Sequence, residues 1–284
     1  MGAAGPPGYF YGDNSEIKVY NRKKYKDGDA EVVDCVILAG GINKDLDNSE
    51  EISNKALIKI DDKEMVRYVL EAYRQVEEIG RIALVGPVGD FAFLQEEFSV
   101  ELVPESDSIL QNLVEANRFL QTKNHLLIST ADIPLLNPQA VKDFLEKCLP
   151  YDSDFYYPIV SKENCEKKFP GVKRTYVNLV EGTFTGGNVF LVNPAAIEPS
   201  VPVISRFIEY RKKPLKMVAL LGSGFVFRVL TKKITIPLLE KRFSSLLNIK
   251  ARAVISEYAE IGFDVDKTSD LELVRQVING KNVS

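Results

Sequence analysis

From Val32 onward, short apolar runs alternate with longer stretches in which apolar residues recur every three or four positions. The run Val32-Val33-Asp34-Cys35-Val36-Ile37-Leu38 ends at Ala39-Gly40-Gly41 and predicts a buried strand feeding a loop. Met65, Val69, Ala72 and Val76 keep helical spacing, and a strand from Ile82 to Gly86 follows. Val100 to Val103 predicts a short strand, Ile109 to Leu120 a helix, and His125 to Ser129 another buried strand. Pro138 opens a helix to about Cys148, with Asn137 as its N-cap. Phe155 to Val160, Tyr176 to Leu179 and Val189 to Val192 supply further strands, and residues 203–256 read as helices. Near-continuous apolar strands alternating with helices predict an α/β fold, a mostly parallel sheet covered by helices. Residues 1–30, Gly/Pro-rich and then polar, read as an N-terminal arm, and residues 31–284 as one domain containing the helical subdomain 203–256.

Composition narrows the classes. With 284 residues, 45% of them hydrophobic and 27% charged, the chain can bury a sizeable core without disulfide staples. Cys35, Cys148 and Cys165 are odd in number and lack CxxC spacing, which argues against a disulfide framework or a zinc ribbon. A single histidine, His125, cannot build a His-rich metal site and reads as structural. Met1 to Pro7 lacks the pattern of a signal peptide, and the apolar stretch Met217 to Phe227 is too short to span a bilayer, so the expectation is a cytoplasmic protein.

The net charge of −4 hides an asymmetry. Between Ser205 and Arg252, 12 Lys/Arg stand against Glu209 and Glu240 alone, a net of +10 on an otherwise acidic chain. By composition such a block is either the solvated side of amphipathic helices or a surface for an anionic acceptor, a membrane or a nucleic acid. No nucleic-acid partner is expected.

Three features fall where strands end, the edge at which open α/β sheets bind ligands. Leu38-Ala39-Gly40-Gly41 lets main-chain N–H groups approach a phosphate closely, although a plain tight turn has the same sequence. Asp132, in Thr130-Ala131-Asp132-Ile133-Pro134, suits a hard cation such as Mg²⁺, with an Asx turn as the competing reading. Asp264 and Asp266, spaced to point the same way on a strand, complete a metal clamp or else precede a helix as its cap.

In this order the segments resemble the nucleotidyltransferases of GT-A-like fold, and by eye the MobA-like NTP transferases in particular. The resemblance rests on Leu38-Ala39-Gly40-Gly41, Asn54-Lys55-Ala56-Leu57, Lys63-Glu64-Met65-Val66, Thr130 to Leu136, Thr185-Gly186-Gly187-Asn188 and Asp264 to Leu271. It spans roughly Val32 to Val277, and the basic helical block is not a general family feature. It implies a three-layer α/β/α fold and Mg²⁺-dependent transfer of a nucleotidyl group from an NTP to a phosphorylated or other small-molecule acceptor, with release of pyrophosphate. Leu38, Ala39, Gly40, Gly41, Lys55, Ser108 and Asn112 would then bind the nucleotide. Lys55 and Asp132 would carry catalysis, and Asp132 and Asp266 would hold the metal. Lys173, Arg174 and Tyr176, near Thr185, Gly186, Gly187 and Asn188, would face an anionic acceptor. Helix capping competes for Ser108.

One departure stands out. The family's loop continues into an Arg-containing stretch, whereas here Ile42 to Glu51 lacks arginine and is acidic. Either Lys44 replaces the arginine, or the loop moves, or a nucleotide is bound without efficient transfer. Two alternatives follow: a sugar-nucleotide-dependent glycosyltransferase of the same fold, or a non-catalytic nucleotide-binding protein on a degenerate transferase fold.

Overall fold

The computed structural model describes residues 32–41, 54–210, 213–231 and 233–280. The arm 1–30 and the acidic stretch 42–51 lie outside the described residues. Strand β1 (Val33–Leu38) runs into the glycine turn. From Asn54 a 3₁₀ turn (Lys55–Leu57) and a small ribbon, β2 (Lys59–Ile60) with β3 (Lys63–Glu64), lead to helix α1 (Met65–Arg74). Next come β4 (Ile79–Gly86), α2 (Val88–Phe98), β5 (Glu101–Pro104), α3 (Ile109–Leu120), β6 (Leu126–Thr130) and α4 (Pro138–Cys148). β7 (Phe155–Ser161), α5 (Lys162–Lys168), β8 (Val177–Leu179), β9 (Gly182–Gly186) and β10 (Val189–Val192) follow. Four helices, α6 (Pro194–Tyr210), α7 (Pro214–Leu221), α8 (Ser223–Leu230) and α9 (Ile236–Leu247), precede β11 (Ala251–Ser256), a 3₁₀ turn (Ala259–Gly262) and α10 (Thr268–Ile278).

The main sheet runs β5-β4-β1-β6-β10-β7-β9-β8, with β11 on the other flank of β7. Its first four strands are parallel, and β10 runs against β6. Alternation along β1 separates two cores. Val33, Cys35 and Ile37 face the side packed by α1, α2, α4 and α10, and Val36 faces the side packed by α3 and α6. Helices therefore cover both faces, as the three-layer reading implies. Asn137 caps α4 by accepting from the Ala140 N–H at 2.9 Å.

Register places the functional edge. Leu38 pairs with Val85 of β4 and Thr130 of β6, so the three central strands end at one level and hand over to Ala39, Pro87 and Ala131 on a common rim. His125 lies just before β6 with its Nε2 2.8 Å from the Ser153 carbonyl and its ring beside Tyr151 and Tyr156, a structural position. The three cysteines are free and buried, and burial pushes the Cys35 thiol well above its ordinary range.

Two expectations are corrected. Residues 203–256 are not helical throughout, because Ala251–Ser256 pairs residue by residue with Phe155–Val160 as the parallel strand β11. Only Val254 and Ile255 of its six residues favour a strand, too short a signal to stand out beside the helical pattern before it, and its pairing partner lies nearly 100 positions away. Likewise Phe263 to Asp266 is not a strand: it leaves the Ala259–Gly262 turn outside any sheet ladder on its way to α10. The apolar pattern predicts neither α2 nor α5.

Candidate active site

Backbone hydrogen bonds assemble the rim before any charged group is considered. Ala39 N–H donates to Val85 at 2.8 Å, and Ala131 N–H to Leu38 at 3.1 Å. The Asn54 amide donates to the Ala39 carbonyl at 2.7 Å, while its Oδ1 accepts from Ala56 N–H at 2.8 Å. Lys55 N–H donates to the Gly41 carbonyl at 2.8 Å. Buried Asn54 thus clips the 3₁₀ turn carrying Lys55 onto the glycine loop. Across the site, Val265 N–H donates to the Asp132 carbonyl at 2.9 Å, tying together the two loops that bear carboxylates. Asp270 Oδ2 accepts from the N–H groups of Asp266 and Lys267, so Asp270 serves as a cap while Asp264 and Asp266 remain available.

On this frame, Lys55 Nζ lies 2.5 Å from Asp132 Oδ2 and 3.3 Å from Asp266 Oδ1. One carboxylate oxygen from each of Asp132, Asp264 and Asp266 lies within 4.8 Å of the other two. Burial favours a neutral Lys55 amine, but the charges and hydrogen bonds of Asp132 and Asp266 outweigh it and hold the lysine above its ordinary pKa. Asp264 is held above the usual carboxylate range by burial first, then by the charges of Asp266 and Asp132. Asp132 Oδ1 is buried with no hydrogen-bond partner. An all-oxygen donor set with such an orphaned oxygen and accumulated negative charge fits a hard divalent cation. Asp132, Asp264 and Asp266 are the residues that would hold it.

A cavity of about 340 Å³ opens beside this cluster, a size at the lower end for small-molecule sites. Leu38, Ala39, Gly40, Gly41 and Lys55 line one part, Ser108, Asn112 and Asp132 another. The Ser108 hydroxyl caps α3 by accepting from Gln111 N–H at 3.2 Å, so the capping role is occupied. Asn112 is buried, with its Oδ1 accepting from Ser106 N–H at 2.5 Å and its Nδ2 turned toward Gly40.

The proposed acceptor residues separate into two groups. Thr185 and Gly186 end β9, and Gly187 and Asn188 continue beside the Ile261–Gly262 turn, with Asn188 N–H donating to Ile261 at 2.8 Å. A Cβ on Gly262 would come within 3.0 Å of the Gly186 carbonyl, so this edge abuts the loop bearing Asp264. Arg174 joins it, its Nη1 donating to the Gly262 carbonyl and its guanidinium 5.2 Å over Phe263. Lys173 is exposed, and Tyr176 turns to α5, where Lys162 lies 5.8 Å over its ring.

Sequence reasoning missed Glu105 and left Asp264 as an alternative to Asp266. Glu105 lines the cavity, and its Oε2 sits 2.5 Å from where a Gly40 Cβ would be. The available signal was its place directly after β5, at the same strand-end edge. Gly40→Ala is therefore expected to leave the melting temperature within a few degrees, because the displaced atom ends a flexible side chain. The added methyl narrows the glycine turn at the cavity, so if that turn cradles a phosphate, as the family resemblance implies, nucleotide affinity should fall by roughly tenfold or more, one missing hydrogen bond being worth about that much. Thermal denaturation and nucleotide titration check the two halves separately.

The sheet order, the strand-end rim and the chain's solved relatives define the α/β fold of the nucleotidyltransferases. The chain is similar over 84% of its length, and 99% of the relative's, to a hypothetical transferase from Thermus thermophilus, at 32% identity and a TM-score of 0.75. Its fold matches CMP:2-keto-3-deoxy-manno-octonic acid synthetase in complex with CTP (13% identity, TM-score 0.56, 88% of this chain and 99% of that one). It also matches 4-diphosphocytidyl-2C-methyl-D-erythritol synthase from Anaerococcus prevotii (11% identity, TM-score 0.54, 88% and 100%). Residues 35–215 match the model of the MobA-like NTP transferase domain, and the chain belongs to that family. No curated protein sequence matches it.

Proposed function

We propose that this chain is a Mg²⁺-dependent nucleotidyltransferase that moves an NMP from an NTP to a small-molecule acceptor and releases pyrophosphate. The observation that carries this reading is the Lys55 ammonium bound between Asp132 and Asp266 in the wall of the Gly40/Gly41 cavity. The glycine turn offers main-chain N–H groups to the phosphates, and the cavity walls at Ser108 and Asn112 enclose the nucleoside end. An acceptor oxygen, of a phosphate or a hydroxyl, forms a bond to the α-phosphorus. The bond to the pyrophosphate bridging oxygen breaks, and a hydroxyl acceptor gives its proton to a carboxylate or to water. Mg²⁺, when bound by the three aspartates, supplies charge neutralisation and Lewis acidity at the reacting phosphate. Lys55 adds a point charge beside the same oxygens. Arg174, Thr185, Gly186, Gly187 and Asn188 border the side from which the acceptor enters, with Lys173 at its exposed margin. Such catalysis is positioning and electrostatics, and it needs neither a histidine nor a cysteine nucleophile.

The test is thermal shift with ATP, GTP, CTP and UTP, each with and without Mg²⁺. A ligand at about a hundred times its Kd stabilises the native state by about 2.7 kcal/mol, a rise of roughly 5 °C in a domain this size. One NTP should produce that shift in a Mg²⁺-dependent way. No shift with any NTP sinks the reading. A shift without pyrophosphate release across an acceptor panel leaves only a binding protein, and a nucleoside diphosphate as product marks a glycosyltransferase.

A further inference from the structure

Helices α7 and α8 are joined through Gly222 alone, at a φ of +87°, and contact one another. Of residues 214–230, 11 are apolar and only Lys216 and Arg228 are charged. A hairpin of that composition belongs in a core, yet no described side chain in either helix is buried. Leu215, Leu230 and Phe227, at 85%, 77% and 65% exposed, are the three most exposed large apolar side chains among the described residues. The hairpin is also anchored. Phe225 packs on a small core of Ile159, Leu179, Phe184 and Ile234, and Arg242 Nη2 donates to the Leu220 carbonyl at 3.0 Å. One side is therefore held by the protein while the other has no partner among the described residues.

Charge bears on what could cover it. The sequence flanks the hairpin with Arg211-Lys212-Lys213 and Lys232-Lys233, and no acid occurs between Glu209 and Glu240. Glu209 is shared by Lys213 and Lys216, at 2.9 and 3.7 Å, which leaves the surface strongly positive. A second copy of this chain would bring like charge to like charge. An anionic bilayer supplies both an apolar interior for Leu215, Phe227 and Leu230 and phosphates for the lysines and arginines. Each eight-residue helix is about 12 Å long against a hydrocarbon thickness of about 30 Å, too short to cross a bilayer. Among the described residues no helix is long and apolar enough to span a membrane.

We propose that the α7–α8 hairpin is a docking surface for an anionic phospholipid bilayer, inserting Leu215, Phe227 and Leu230 at the acyl boundary with Lys213, Lys216, Arg228 and Lys233 at the headgroups. The surface adjoins the candidate acceptor side: Phe184 of its small core belongs to β9, whose end, Gly186, meets Gly262 beside Asp264.

The chain has no tryptophan, so Phe227→Trp in the full chain creates a single fluorophore at the proposed depth. Vesicles of phosphatidylcholine and phosphatidylglycerol in about a 7:3 ratio should shift its emission to the blue and carry the protein upward in flotation. Pure phosphatidylcholine and soluble glycerol phosphate should do neither, and raised salt should weaken flotation. In the full chain without the tryptophan reporter, Phe227→Glu with Leu230→Glu should lower vesicle partitioning by roughly 100-fold with an unchanged melting curve. Should that pair unfold, Lys216→Gln with Arg228→Gln and Lys233→Gln, which removes charge but no apolar contact, should still lower it several-fold at low salt. Unmoved emission with no flotation overturns the proposal. So does binding indifferent to lipid charge and salt, or a concentration-dependent dimer that Phe227→Glu dissolves in the absence of any lipid binding.

Discussion

Asp132→Asn is expected to reduce Mg²⁺-dependent pyrophosphate release by about a thousandfold or more while the melting temperature stays within a few degrees. The asymmetry follows from what each part of the residue does. Its main-chain carbonyl, which holds Val265 N–H and so joins the two carboxylate loops, is untouched by the substitution. The amide keeps the volume of the carboxylate, and Lys55 retains Asp266 at 3.3 Å. Losing the 2.5 Å partner costs something, but the side chain is 21% exposed and the change also relieves repulsion from Asp264 and Asp266. Function has no such compensation. Asp132 Oδ1 is the buried, unpartnered oxygen of the cluster, and an amide there offers half the donors and none of the charge. Continuous pyrophosphate detection and a thermal melt on the same preparation check both halves. Unchanged turnover with a good acceptor would falsify the assignment of this cluster as the reaction centre.

Lys55→Met should be the more damaging change to the fold and nearly as damaging to turnover. It removes the cation that two aspartates share and leaves three carboxylates together without an ammonium, in a pocket where Lys55 is only 14% exposed. Breaking a partly buried pair from one side costs about 2–3 kcal/mol at neutral pH, less than for a fully buried pair because Asp266 is 72% exposed. The loss should depend on pH in a defined direction. Asp264 already sits above the usual carboxylate range, and the uncompensated charges of Asp132 and Asp266 push it further up in the variant. A carboxyl whose folded pKa exceeds its unfolded one binds a proton more tightly when folded. Its relative stabilisation is complete below the unfolded value and is lost as pH rises through the folded one. The difference between wild type and Lys55→Met should therefore be small near pH 4 and largest at neutral pH, as read from urea melts across that range. A gap that widens toward acid pH would show that the lysine does not serve as the cluster's counter-charge. Turnover should fall by about a hundredfold, and Mg²⁺ should restore part of the variant's stability at neutral pH by replacing the missing positive charge.

Much of this protein was legible along the chain because the relevant signals are local. Contiguous apolar runs such as Val33 to Leu38 and Leu126 to Ile128 mark strands buried on both faces, and the residues that follow each run must fall on the same edge of a parallel sheet. That reasoning alone put Gly40, Gly41 and Asp132 on one rim, and capping chemistry located Asn137 and α4. The order of the segments added Lys55 and Asp266 through family resemblance.

What remained was settled by pairing and packing between distant positions. Asp264 joins Asp132 and Asp266 because the chain from Phe263 to Asp266 is extended without being a strand and Val265 is tied to Asp132, a link across more than 130 residues. Glu105 meets Gly40 only because β5 and β1 both flank β4. β11 is a strand only because β7 offers it a free flank. The basic, apolar hairpin was visible as composition, yet whether Leu215, Phe227 and Leu230 face a core or the outside depends on which side α6, α9 and the β8–β9 edge occupy. Sequence determines which elements form and what each carries at its ends, since dihedral preference and hydrophobic period act within a few residues. Tertiary structure decides which side chains share a site and which faces stay uncovered, since those depend on contacts whose partners no local window contains.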